Sequence, residues 1–138
     1  MILDSGCYDV SARLTEERLA VDAGWVARKN PDLIIRAVPA GVLGTGVYSA
    51  EAAETIRDMM LRREGWDGIR AVQNGRVILI SAEMTEAPHL KLAAELLIAK
   101  TAYPDLFRDV DVREALKALT EEATGTIPEA TFFVDSGE

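Results

Sequence analysis

The chain is poor in the residues that build covalent and metal chemistry. Its 138 residues include one cysteine, Cys7, and one histidine, His89. A lone cysteine excludes an internal disulfide. With one cysteine and one histidine far apart, no ligand spacing of the zinc type is present. Aromatic residues make up 6% of the chain, so the core must be built mainly from aliphatic side chains. Positive charge is scarce as well. Fifteen Lys and Arg stand against 23 Asp and Glu, a net charge of −8. That balance removes the electrostatic footprint of a nucleic-acid or anionic-membrane binder. No apolar run approaches the roughly 20 residues of a membrane helix, so direct membrane insertion is not expected. No apolar stretch precedes Cys7, and no signal peptide is visible, which argues against a lipoprotein cysteine.

What remains is an ordinary globular composition, 49% hydrophobic and 28% charged. It suffices for one domain with a real core. Ile2-Leu3 reads as a strand end and residues 15–19 as a helical turn. Asp22 reads as the N-cap of a short helix carrying Trp25 and Val26, which stops at Asn30-Pro31. Residues 33–38 (LIIRAV) follow as a strand. The loop 39–48 contains Gly41, Gly44 and Gly46. Ser49 reads as the N-cap of a helix over about 50–63, with Ala52, Ile56, Met59 and Met60 on its inner stripe. Trp66 is expected in the core, as is Trp25, and Met59-Met60 reads as core filler. Gln73-Asn74-Gly75 is a tight turn that uses the positive backbone dihedral available to Asn and Gly. It leads into Val77-Ile78-Leu79-Ile80, a continuous apolar strand that suits burial on both faces.

Residues 81–87 form a second loop, and Pro88 opens a helix over about 88–102. Leu90, Leu92, Ala93, Leu96, Leu97 and Ile98 give that helix a wide apolar face. Asp111 caps a further helix over about 112–123, with Val112, Ala115, Leu116 and Leu119 inward. Thr131-Phe132-Phe133-Val134 reads as an edge strand. Strands that alternate with helices favour parallel pairing. Two strands are secure, and any others must come from weak segments or from elsewhere in a longer protein.

Little in the chain assembles catalysis. Gly41–Gly46 (GVLGTG) lies between a strand and a helix, where phosphate loops sit. Its spacing fits neither G-x-G-x-x-G nor G-x-x-x-x-G-K-[ST], so it reads as a ligand-facing or structural loop. No nucleophile elbow surrounds Ser5, Cys7 or Ser49. Glu83, Glu86 and His89 flank one loop, either as a solvated helix start or as a cation or ligand site. No acid, base and nucleophile converge, so no enzyme activity and no cofactor are expected.

Three segments resemble one family. Residues 21–35 (VDAGWVARKNPDLII) are similar to its V-S-x-E-W-V-x-x-x-N-P-D-x-I-I pattern. Residues 66–80 (WDGIRAVQNGRVILI) are similar to W-x-x-I-x-A-V-K-N-G-R-V-Y-x-I. Ala87-Pro88-His89-Leu90 and residues 97–107 (LIAKTAYPDLF) resemble its closing helix and Y-P-E-L-F. The family is the iron-siderophore, haem and vitamin B12 class of ABC-transporter substrate-binding proteins, periplasmic binding proteins of type III. The resemblance covers about residues 21–120.

The resemblance implies a three-layer Rossmann-like α/β sandwich with a mostly parallel central sheet. Residues 1–138 would be one such domain, the C-terminal lobe of a two-lobed protein, either excised or truncated. It implies half of a cleft for a small-molecule ligand of the metal-chelate or tetrapyrrole class, an ABC permease as partner, and a periplasmic or membrane-anchored extracellular location. Ligands of parallel α/β sheets bind beyond the carboxyl ends of the strands. Leu43, Tyr48, Glu83, Met84 and His89 are therefore the expected cleft residues. In the family a glutamate ahead of the tryptophan docks on permease arginines. Gly24 stands there in this chain, and Asp22 is the nearby carboxylate assigned to docking. His89 stands where an arginine often follows the proline. The competing readings are an interaction or structural module that kept the fold without the ligand, and a small α/β enzyme domain.

Overall fold

Val77 to Ser81 form strand β2, and all five residues are buried. Because β2 is apolar on both faces, it must lie between two helical layers. The computed structural model describes residues 7, 23–126 and 130–135. The elements before β2 are α1 (Ala23–Lys29), β1 (Ile34–Val38), α2 (Glu51–Leu61) and the single turn α3 (Arg70–Gln73). After β2 come a 3₁₀ turn (Ala82–Thr85), α4 (Pro88–Ala102), α5 (Val112–Thr124) and β3 (Phe133–Val134). The expected features of Ile2-Leu3 and residues 15–19, and the Asp22 cap, lie outside the described residues.

Alternate side chains of β2 feed two cores. Ile78 and Ile80 pack with Leu90, Ala94, Leu97 and Ile98 of α4 and with Val112 and Leu116 of α5. Val77 and Leu79 pack with Ala53 and Met60 of α2 and with Trp66, Ile69 and Leu43. Each fully buried aliphatic side chain is worth about 1.5–3 kcal/mol, so the strand is the main apolar anchor of both layers. This is the expected α/β sandwich of three layers.

The sheet order is β1-β2-β3. β1 runs parallel to β2 with Ile34 opposite Val77 and Val38 opposite Ser81. β3 runs antiparallel, with Leu79 opposite Val134 and Ile80 opposite Phe133. The expectation of a mostly parallel sheet therefore holds for β1–β2 and is corrected at β3. The cause is the helix pair α4–α5. The one long helix α2 returns the chain to the start of the sheet before β2, whereas α4 followed by α5 leaves it at the carboxyl end, where Thr131 meets Gly44. The expected edge strand at 131–134 is present, shortened to Phe133–Val134 with an isolated bridge from Thr131 to Gly44.

Two helix faces differ from the expected ones. In α2, Ala53 and Met60 are buried and Met59 is 68% exposed. Ala52 is exposed too, and Ile56 is half-buried. The inner stripe is shifted by one position because Arg57 points inward. Its Nε donates to the Val77 carbonyl at 2.7 Å and its Nη2 to the Gly75 carbonyl at 2.8 Å. In α4, Leu92 is exposed, since Leu90, Ala93, Ala94, Leu97 and Ile98 already occupy the inner face and Leu92 falls opposite them. Trp66 is buried as expected, under the Arg63 guanidinium at 4.7 Å.

Asp111 does cap α5, accepting from the backbone N–H groups of Arg113 and Glu114. At the other end of the sheet, the Asn30 Oδ1 accepts the Arg70 N–H at 2.9 Å. The Pro31 carbonyl accepts the Ala71 N–H at 3.0 Å. Asn30 adopts φ 46° to make this turn, a conformation that Asn tolerates better than most residues. Gly75, with φ 68°, carries the positive dihedral of the turn before β2, whereas Asn74 has φ −94°.

Two substitutions separate the inward register from the outward one. Ile78→Ala, at a fully buried site, is expected to lower unfolding free energy by about 2–5 kcal/mol. Met59→Ala is expected to change it by no more than about 0.5 kcal/mol. Urea titration followed by circular dichroism measures both, and equal losses would contradict the observed α2 register.

Candidate functional site

Parallel pairing sets the carboxyl ends of β1 and β2 side by side, at Val38 and Ser81. The loops that leave them, 39–50 and 82–87, share that end of the sheet. In parallel α/β sheets this is the binding end. The segment before β3 arrives there too, and Thr131 bridges to Gly44.

A short chain of hydrogen bonds joins the three segments. Ser81 is fully buried, and its Oγ accepts the Glu83 N–H at 3.2 Å. The Glu83 carboxylate reaches across to the first loop. Its Oε1 accepts the Thr45 N–H at 2.9 Å and its Oε2 accepts the Thr45 hydroxyl at 2.8 Å. On the other side, the Gly44 N–H donates to the Thr131 carbonyl at 2.8 Å, and the Thr131 N–H donates to the Val47 carbonyl at 2.7 Å. Gly44 is required at the crossing point. It has φ 111°, and a Cβ there would lie 2.6 Å from the Ser81 Oγ and closer still to the Glu83 carboxylate.

Beside this junction lies an open depression of about 420 Å³. Gly41, Thr45, Gly46, Val47, Tyr48, Ser49, Glu51 and Ala52 line it. Tyr48 is 76% exposed. Ser49 turns its Oγ to the Glu51 N–H at 3.2 Å, so the cap-like bond expected of it exists, although the helix begins one residue later than expected.

The five expected cleft residues separate into four placements. Tyr48 offers an exposed ring on the rim. His89, the second residue of α4, is half-buried and is not among the residues lining the depression. Glu83 is half-buried with both oxygens bonded to Thr45. Leu43 and Met84 are corrected, because both are fully buried. Leu43 belongs to the core under α2 and Met84 to the core under α4. Each is the one side chain of its loop that turns fully into the core and backs the loop from beneath. Asp22 lies outside the described residues, and Gly24 is exposed on α1.

Sequence reasoning missed Thr45, Ser81 and Thr131. Thr45 stands between two glycines, Gly44 and Gly46, both with positive φ, which is the one local sign that its backbone is shaped for a contact. A second hollow, of about 450 Å³, lies between α2 and β3. Arg113 crosses its wall, 3.8 Å from Asp135 and 4.7 Å from the Phe133 ring.

Cys7 is half-buried against the α4–α5 core, and burial raises its thiol pKa above the ordinary value, which keeps it protonated and weakly nucleophilic. Among the described residues no group of three or more His, Cys, Asp or Glu is placed to hold a metal ion. No described helix is long and apolar enough to cross a membrane.

The close approach at Gly44 has a measurable counterpart. Gly41 and Gly44 both have positive φ, yet nothing lies within 4 Å of a Cβ added at Gly41. Alanine at either position carries left-handed strain of about 1–2 kcal/mol. Gly44→Ala adds an overlap and should cost about 1–3 kcal/mol more. Thermal unfolding of the two variants compares them, and equal losses would remove the packing constraint at Gly44.

No family model matches the chain, and no curated protein matches it. Among solved structures it is similar to the TroA-like periplasmic binding protein FepB from Veillonella parvula, with a TM-score of 0.76 at 20% identity. The likeness covers 95% of this chain and 39% of that one, so the chain spans well under half of its neighbour's length. From α1 to β3, the chain has the α/β fold of one lobe of a TroA-like periplasmic binding protein.

Proposed function

We propose that the chain is the C-terminal solute-binding lobe of an ABC importer, contributing half of an inter-lobe cleft. The ligand would be an iron complex, haem or a cobalamin-like molecule. The observation that carries this reading is the likeness of 95% of the chain to a periplasmic binding protein. The depression at the carboxyl ends of β1 and β2, with Tyr48 exposed on its rim, supports it. Binding there would rest on shape and a few polar groups held by rigid loops. Tyr48 and His89 are the proposed ligand contacts, backed by Leu43, Met84 and Glu83. An ABC permease is the proposed partner, with Asp22 as its docking carboxylate. The proposed location is periplasmic, or extracellular and membrane-anchored. This reading gives the lobe no catalytic step.

One observation favours a second reading. Gly24 is exposed where the family pattern carries its docking glutamate. A lobe that lost docking would serve as an interaction or structural module of the same fold.

Nuclear magnetic resonance titration of the 138-residue chain tests the first reading, because half a cleft binds weakly and shift changes register weak binding. Ferrichrome, haemin and cyanocobalamin serve as probes. One of them is expected to shift amides of residues 41–49 and 82–89, with Tyr48→Ala weakening the effect about tenfold, as expected for loss of a well-packed aromatic contact. Shifts absent with all three, or centred on the α4–α5 face, would count against a chelate or tetrapyrrole ligand.

A further inference from the structure

The structure assigns Glu83 to holding the two binding-end loops together as one rigid unit, as a positioning residue and not a ligand contact. The inference deepens the proposed binding role and rests on it for its functional meaning. Its structural content stands alone. Both carboxylate oxygens of Glu83 are engaged by one residue, Thr45, 38 positions away in sequence. A carboxylate accepting from two donors at 2.8 and 2.9 Å holds a fixed direction. Glu83 is itself aimed from below, since its N–H is held by the buried Ser81 hydroxyl.

Gly44 lets the loop come this close, and Thr131 holds it from the far side at both Gly44 and Val47. The segment 44–47 is therefore fixed on two flanks. Tyr48 follows Val47 directly, so its exposed ring inherits its position from the junction. Thr45 takes one lone pair on each Glu83 oxygen, and the Gly44 backbone crowds the same carboxylate. A ligand donor that drew the carboxylate away from Thr45 would loosen the loop that carries Tyr48.

Glutamine is the discriminating substitution. Its amide oxygen can accept the Thr45 N–H, and its NH₂ can donate to the Thr45 Oγ, so the junction survives without the charge. Alanine removes both bonds. Hydrogen exchange of the ligand-free 138-residue chain reads the Thr45 amide directly. Glu83→Ala is expected to speed exchange at Thr45 by about tenfold while the β2 amides keep their rates. Glu83→Gln is expected to stay within about threefold of the parent chain. Thr45→Val, which deletes the hydroxyl bond alone, should fall between them, and it keeps the test open if the alanine variant fails to fold.

Unchanged Thr45 exchange in Glu83→Ala or Thr45→Val would overturn the inference. So would Glu83→Gln exchanging at least as fast as Glu83→Ala. Titration with haemin and ferrichrome then separates the two levels. If either probe binds, Glu83→Gln should bind it as the parent does and Glu83→Ala about tenfold more weakly. Equal weakening in both variants, with Thr45 exchange at the parent rate, would make Glu83 a direct contact and overturn the inference. If neither probe binds the parent chain, the chelate reading fails while the exchange result still decides the role of Glu83.

Discussion

The two-sided burial of β2 is the constraint on which the other elements depend. Four successive apolar residues, Val77 to Ile80, cannot face water on either side, so helices must cover both faces. α2 and the Trp66–Ile69 segment cover one, and α4 with α5 covers the other. Parallel pairing with β1 follows from the helical connection that brings the chain back over the sheet. The pairing has a functional consequence. It brings Val38 and Ser81 level, so the loops that leave the two strands must share one end of the molecule. That shared end is a product of the strand's apolar character before any loop residue is considered.

The opposite end of the sheet is fastened by polar contacts. Asn30 and Pro31 hold the backbone of Arg70 and Ala71, and the Asp32 carboxylate lies 3.2 Å from the Arg70 guanidinium. Arg57 satisfies the carbonyls of Gly75 and Val77. The Arg70–Asp32 pair is exposed and contributes little by itself. The backbone bonds matter more, because they fix where β1 and β2 begin. Two of the three family-like segments, residues 21–35 and 66–80, meet at this junction. Their pattern is thus a description of scaffold, which explains how it can mark a fold while leaving the ligand open.

This division explains what could be read from the chain alone. The strands at 33–38 and 77–80, the helix at 88–102 and the Asp111 cap are legible, because each depends on local periodicity or on a cap within three residues. Periodicity failed where a polar residue turned inward. Arg57 is a residue type expected on the surface, so periodicity draws the α2 stripe through Met59, which faces water. β3 was legible as an edge strand, but its direction was not. Direction depends on how many helices intervene and on which end of the sheet the chain re-enters, and neither is written in residues 131–134. Leu43 and Met84 occupy the loops at the carboxyl ends of the strands, which makes them candidates for a cleft, yet both are fully buried. Hydrophobicity alone indicates burial and does not say whether a ligand or the core provides it.

Glu83 shows the same difficulty in sharper form. A carboxylate in a loop at the binding end has the chemistry of a ligand contact, and sequence position supports that role. What favours support over contact is that both oxygens already accept from one residue of the neighbouring loop. The decisive donors belong to Thr45, which is distant in sequence and has no special chemistry of its own. Only the close approach permitted by Gly44 brings them within reach. The residue most exposed on the proposed binding surface is therefore not one with the strongest chemical character. Tyr48 is left outside because its neighbours are held inside, and the polarity of the loop is used mainly to keep it there.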